Sequence, residues 1–203
     1  MRFVTLGVGA MNSPCHAPAG LLISCSGARV VIDGGPGAVP DGRVDAWLMT
    51  DDRAELIGPI RKLARERGLV PRVGDFQKDA LRVEVRRVVH TSHPTYGYRV
   101  RAQGRTVVWA PEFFEFPRWA HRADLMFAEA SAWRCPIRFR GGVGGHMDVL
   151  AVAQEAKRLG VRRLVFAHIG RPTLRALARG LKPPFGEVAA DGQTFVIGPR
   201  RNN

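Results

Sequence analysis

The sequence predicts an α/β sandwich, two β-sheets packed on one another with helices on their outer faces. Short apolar or alternating runs punctuated by glycine and proline fill the start of the chain and begin again near its middle. Each set of strands is followed by a helical pattern, and no low-complexity stretch separates the halves. At 203 residues, 45% of them hydrophobic, the chain can bury about 70% of its unfolded surface around one core, so a single domain over residues 1–203 is expected.

In order along the chain, Arg2 to Leu6, Leu21 to Ser24 and Val30 to Asp33 read as strands of a hairpin-rich sheet, and Ala46 to Thr50 as a further buried strand. A helix is expected over Ile60 to Arg67, with Pro59 in its first turn and Gly68 closing it. Val83 to Val89, Gly97 to Arg101 and Thr106 to Trp109 open the second set of strands, with a tight turn at Gln103-Gly104. Asp124 to Ala128 is another strand. Asp148 has the short acidic side chain of an N-cap for a helix reaching Leu159, Arg163 to Ala167 is a strand ending at His168, and Pro172 opens a last short helix. The polar tail from Arg200 is expected to fray.

Composition limits the function classes. No apolar run reaches the roughly 20 residues of a membrane span, and Met1 to Gly9 lacks the features of a signal peptide, so a cytoplasmic protein without a membrane partner is expected. Cys15, Cys25 and Cys135 are odd in number and contain no C-x-x-C pair, which fits buried free thiols rather than a disulfide framework or thiolate zinc site. The net charge of +13 favours polyanions, yet only four of the 31 basic residues are lysines, and the arginines are scattered without interleaved aromatics. Solvated surface arginine is therefore expected ahead of a nucleic-acid groove.

Several segments carry chemistry-bearing residues at strand or helix ends. Leu6-Gly-Val-Gly9 and Val31-Ile-Asp-Gly-Gly-Pro-Gly37 form glycine-rich turns around Asp33, which can hold a loop by accepting hydrogen bonds. Thr50-Asp-Asp-Arg-Ala-Glu-Leu-Ile-Gly58 follows the fourth strand. Val89-His-Thr-Ser-His-Pro-Thr-Tyr-Gly97 precedes the Gly97 strand, and Thr106-Val-Val-Trp-Ala-Pro-Glu112 ends on a carboxylate. Asp124 to Ala130, Gly145-His146-Met147-Asp148 and Val161 to Ile169 complete the series.

In this order the segments resemble the metallo-β-lactamase-like hydrolases over nearly the whole chain. That resemblance implies a four-layer αββα sandwich of two mixed sheets flanked by helices. Thr50 to Gly58 lies where the family has T-H-x-H-x-D-H-x-x-G, but Asp51, Arg53, Glu55 and Leu56 stand at the ligand positions. Asp51 and Glu55 can donate oxygen, whereas Arg53 has no free lone pair and Leu56 no donor atom. The ribonuclease Z-like and phosphodiesterase branches are similar around His90, with His93 as the fallback ligand. Glu112 stands in for the metal-bridging aspartate, one methylene longer. Gly145-His146 is similar to a "gly-his-ser" helix start, and His168 to the terminal histidine ligand. The pyrroloquinoline-quinone biosynthesis B proteins share Thr50-Asp51 and Gly145-His146-Met147, which implies kinship without a substrate.

The resemblance implies one divalent ion, Zn2+ or Mn2+, held by His168, Glu112, His90, Glu55 and Asp51. His146 would act as proton donor, with Asp51 and Arg53 beside the reacting group, on a small ester or phosphoester. Two other readings stand beside it. In the first, no metal is bound, and Asp51, Glu55, Glu112 and Arg53 form a salt-bridged cluster in a scaffold or partner-binding protein. In the second, the basic surface binds RNA. His16 and His121 read as scaffold, and Phe113, Phe114, Phe116 and Trp119 as a lid, a contact patch or, more commonly, the cover of a core edge.

Overall fold

The computed structural model describes residues 1–11 and 13–200. Its strands are β1 (Arg2–Gly7), β2 (Gly20–Cys25), β3 (Ala28–Asp33), β4 (Ala46–Leu48), β5 (Phe76–Lys78), β6 (Leu81–Val88), β7 (Thr95–Ala102), β8 (Arg105–Ala110), β9 (Leu125–Ala130), β10 (Ile137–Arg138), β11 (Gly145–His146), β12 (Leu164–Ile169), β13 (Glu187–Val188) and β14 (Thr194–Val196). The helices are α1 (Ile57–Arg65) after β4, α2 (Val149–Arg158) after β11 and α3 (Arg171–Ala178) after β12.

A five-stranded sheet runs β14-β1-β2-β3-β4 and a seven-stranded sheet runs β13-β12-β9-β8-β7-β6-β5. Both are mixed: β3 and β4 are parallel while β1, β2 and β3 are antiparallel, and β8, β9, β12 and β13 are parallel while β5 to β8 are antiparallel. The period of two along a strand sorts side chains between layers. Leu21, Ile23, Val30, Ile32 and Leu48 face the second sheet, joining Val83, Val100, Val107, Trp109 and Phe127 in the main core. Leu22, Val31, Trp47 and Met49 face the other way, onto Ile60 and Ala64 of α1. Both β9 and β12 are buried at every residue, as parallel strands covered on two faces must be, and Val149, Val152, Ala153 and Ala156 of α2 join that core. The αββα layering expected from the sequence is the observed one.

Several expectations are corrected in detail. Helix α1 begins at Ile57 and ends at Arg65. Pro59 is therefore its third residue, where a missing N–H leaves no helical bond unmade. The short β5, β10, β11, β13 and β14 escaped the sequence because two or three residues show no period; β14 is recognisable only by its pairing, Arg2 with Val196 and Val4 with Thr194. Of the thiols only Cys25 is buried, and Cys15 and Cys135 are exposed. Arg200 donates its N–H to the Gln103 carbonyl at 3.0 Å, and the rest of the tail expected to fray, residues 201–203, lies outside the described residues. Among the described residues no helix is long and apolar enough to cross a membrane. Phe113 is fully buried, Phe116 and Trp119 pack against the core, and Phe114 lies under the Arg138 guanidinium at 4.8 Å, so these aromatics cover a core edge.

Candidate active site and metal-binding cluster

The chemistry-bearing side chains meet at one rim of the sandwich because each follows or ends a strand. Asp33 and His168 sit at the ends of β3 and β12 with φ of 56° and 58°, the left-handed region that ordinary residues avoid and Asp and His enter more readily. At His168 the pairing of β12 with β9 also shifts register between Phe166 and Ile169. Such an irregularity turns a side chain away from the alternating pattern, and here it delivers the imidazole to the rim.

Glu112, two residues beyond β8, lies between two imidazoles. Its Oε2 is 2.7 Å from His90 Nε2 and its Oε1 2.8 Å from His168 Nε2. His90 is fixed from behind, Nδ1 lying 2.8 Å from the Gly145 carbonyl. That approach requires glycine at 144 and 145, since both have φ near the extended positive region (137° and 150°) and a Cβ on Gly144 would strike the His90 carbonyl. His168 Nδ1 meets Ser131 Oγ at 2.8 Å and Glu129 Oε1 at 3.5 Å.

Behind this row lies Glu129, wholly buried in β9. It accepts from the amides of Ser131 (2.7 Å) and Phe113 (3.2 Å), and its Oε2 is 2.7 Å from His146 Nδ1. The His146 ring is 4.7 Å from that of His90 and stacks at 5.6 Å on that of His168. Glu129, His146 and His168 form a group able to hold a metal ion, one donor atom from each lying within 4.8 Å of the others. Glu129 is the residue the sequence reading left without a role. Its signal was a lone carboxylate inside the apolar run Leu-Met-Phe-Ala-Glu-Ala, where burial demands a partner.

The electrostatics follow from these contacts. Burial opposes charging of His168, but Glu112 in front and Glu129 behind outweigh it and raise its pKa to about 10. Burial likewise opposes charge on the two carboxylates, yet the imidazoles hold Glu112 well below its ordinary value and lower Glu129 to about 2. His90 is raised by Glu112 against its own burial. Asp33 differs: burial pushes it up to about 6, although Trp109 Nε1 donates to it at 2.8 Å and Thr50 through both its amide (2.7 Å) and hydroxyl (2.9 Å). Asp33 thus ties β8 to the loop after β4.

The remaining predicted residues take other places. Asp51 accepts from the Arg53 amide at 2.8 Å and pairs with His93 Nε2 at 2.8 Å, so His90 joins the central row and His93 a separate pair. The expected salt-bridged cluster of Asp51, Glu55, Glu112 and Arg53 does not form. Among the described residues the side chains of Arg53 and Glu55 make no ion pair, and both stand exposed where the loop after β4 meets water. Arg53 therefore does not place fixed charge among the carboxylates. Two adjoining cavities, of about 290 and 530 Å3, share Asp51, Glu112 and His168. Leu56 lines the smaller with hydrocarbon, while His90, His93, His146, Arg53 and Glu55 line the larger. His16, 3.4 Å from Asp191 Oδ1, borders the smaller cavity, and His121 is exposed away from both.

A two-sheet sandwich with a histidine-carboxylate cluster at one rim is the arrangement of a metallo-β-lactamase-like protein. The model of the beta-lactamase superfamily domain matches residues 66–169, just over half the chain, and the chain belongs to that family. No curated protein matches it by sequence. Solved structures similar in fold include the metallo-beta-lactamase fold protein YhfI from Bacillus subtilis, with a TM-score of 0.73 at 16% identity over 96% of this chain and 99% of that one. Zn2+-bound PqqB from Methylobacterium extorquens gives a TM-score of 0.72 at 14% identity, covering 97% and 100% of the two chains. The short form of human tRNase Z gives 0.72 at 17%, covering 98% and 100%. At these identities the likeness is one of fold.

Proposed function

We propose that the protein is a metal-dependent hydrolase of esters or phosphoesters that works with one divalent ion, Zn2+ or Mn2+, held by His168, Glu112 and His90. The observation that carries this reading is the pinning of His90. Its Nδ1 faces a carbonyl oxygen, so Nδ1 bears the proton and a neutral ring presents a lone pair at Nε2 toward Glu112 Oε2. Lone pair against carboxylate is repulsive unless a proton or a cation lies between them. A ring oriented through its second nitrogen is also what metal-ligating histidines require. Two imidazole nitrogens and a carboxylate bordering an open cavity therefore fit one ion of borderline character. Arg53 and Leu56 offer nothing to a second.

When bound, the ion would polarise the substrate oxygen and lower the pKa of a water molecule. Glu129, fixed by two backbone amides, orients His146 through Nδ1 and leaves its Nε2 to protonate a departing oxygen. Asp33 holds the Thr50 loop in place. Elemental analysis of purified protein with its His168→Ala and Glu112→Ala variants, paired with turnover of chromogenic carboxylic and phosphate esters, tests the reading. One equivalent of metal and measurable hydrolysis, both lost in the variants, are expected. A protein that takes up no metal under any supplementation sinks it.

One observation favours a second reading, a metal-free scaffold or partner-binding protein. Glu112 reaches both imidazoles directly, so protons alone satisfy the row. In that case His168→Ala changes neither metal content nor any activity.

A further inference from the structure

Where the family motif places its last histidine after β4, this chain places hydrocarbon. Leu56 and Ala54 line the smaller of the two cavities together with Pro18, Ala19 and Ile60. Leu56 is turned toward the glycine turn after β3, since a Cβ on Gly35 would lie 3.6 Å from both Leu56 Cδ1 and Pro18 Cγ. A position that offers no donor to a metal thus forms an apolar wall beside the histidine row.

The charges around this cavity are already engaged. Asp33 accepts from Trp109 and Thr50, Asp51 pairs with His93, Glu112 lies between His90 and His168, and His16 faces Asp191. Among the described residues no lysine or arginine lines the cavity. An anionic group would meet carboxylates without a counter-charge, and a cationic group would find no free carboxylate. The cavity therefore favours an uncharged, apolar occupant.

Its neighbour is of the opposite character. Arg53, Glu55, Arg171 and His146 line the larger cavity and none of them the smaller, while Asp51, Glu112 and His168 border both. If His146 protonates the departing oxygen, the leaving group lies on its side, in the larger cavity. The group that stays on the reacting carbon then points into the smaller one.

We propose that the smaller cavity is an acyl pocket and that the substrate is a carboxylic ester joining a compact, uncharged hydrocarbon acyl group to a polar alcohol. The proposal deepens the hydrolase reading and rests on it for the orientation of the ester. A cavity of about 150 Å3 holds benzene, so one of about 290 Å3 takes an acyl group of about four to eight carbons. A phosphoester is disfavoured, because its phosphorus carries anionic oxygen where this pocket receives hydrocarbon. In the reaction the oxygen of water bonds to the acyl carbon and the bond to the alcohol oxygen breaks. The alcohol oxygen takes the proton of His146, the proton lost by the attacking water replaces it, and the products are the acid and the alcohol.

Two measurements on the full-length protein test the pocket. Saturation-transfer NMR with hexanamide reads binding without turnover: hexanamide should bind saturably, neither hexyl phosphate nor hexylamine should displace it, and Ala54→Phe, which fills the pocket, should remove it. The second measurement is kcat/KM of the metal-loaded protein for 4-nitrophenyl acetate, butyrate, hexanoate and dodecanoate. At roughly fourfold per buried methylene, hexanoate should exceed acetate by about a hundredfold or more, and Ala54→Phe should shrink that ratio to about tenfold or less. Leu56→Ala, which enlarges the pocket, should move the optimum to longer chains. No saturable binding of hexanamide, its displacement by either charged probe, binding unchanged in Ala54→Phe, or a chain-length profile that is the same in both variants overturns the pocket. Hexanamide binding that is lost in Ala54→Phe while no ester is cleaved leaves the pocket standing and removes the hydrolase.

Discussion

Glu112 places one carboxylate oxygen on each of two histidines, Oε2 at 2.7 Å from His90 and Oε1 at 2.8 Å from His168. The extra methylene of glutamate over aspartate gives the carboxylate its reach, and the row depends on it.

Glu112→Gln should therefore abolish hydrolysis and metal uptake together, because a neutral amide is a much weaker ligand for a divalent ion than a carboxylate. Since Glu112 is partly open to the cavity, the stability loss should be moderate, about 1–3 kcal/mol. Thermal denaturation and elemental analysis of one preparation check both effects.

The two overlapping donor sets are separated by two variants. If His90, Glu112 and His168 hold the ion, His90→Ala loses metal, while His146→Ala keeps it and loses turnover. The reverse pattern in metal content moves the ion onto Glu129, His146 and His168.

His168 gives a pH dependence that chelator-treated protein should reveal. Its folded pKa, about 10, lies above the 6.5 of the unfolded chain, so its ion pairs contribute fully below pH 6.5 and are lost as pH rises through about 10. Melting temperature should fall across that window and the fall should shrink in His168→Ala. An ion must displace that proton, so metal affinity should weaken as pH is lowered, which titration in unbuffered solution reads as proton release.

Trp109→Phe removes the indole donor from buried Asp33. The Asp33 pKa should climb above its present value of about 6, with a stability loss of about 1–3 kcal/mol that is largest at neutral pH, where the carboxylate must stay charged. Denaturant unfolding at acid and neutral pH measures it; an equal loss at both would exclude the charge-based account.

Arg53→His/Leu56→His restores imidazoles at the two positions that cannot ligate. Metal content should rise from one equivalent to two. A variant that stays at one shows that the loop after β4 no longer turns those positions inward.

Two packed sheets with helices outside and the helix cap at Asp148 were legible in the chain, because period, glycine turns and capping are local and survive in the residues that make them, while the mixed sheets followed from the family resemblance. The sequence also singled out His90, Glu112, His146 and His168, each carried on a strand-end or helix-start segment. Which of them touch was settled only by the packing of the strands. Asp51 goes to His93, while Arg53 stays exposed at the edge of the larger cavity with no ion pair among the described residues, pairings that no spacing encodes. Glu129 became the anchor of two histidines only when β9 was laid beside β12. Contacts between residues far apart in the chain depend on the packing of whole elements, and so they appear only in three dimensions.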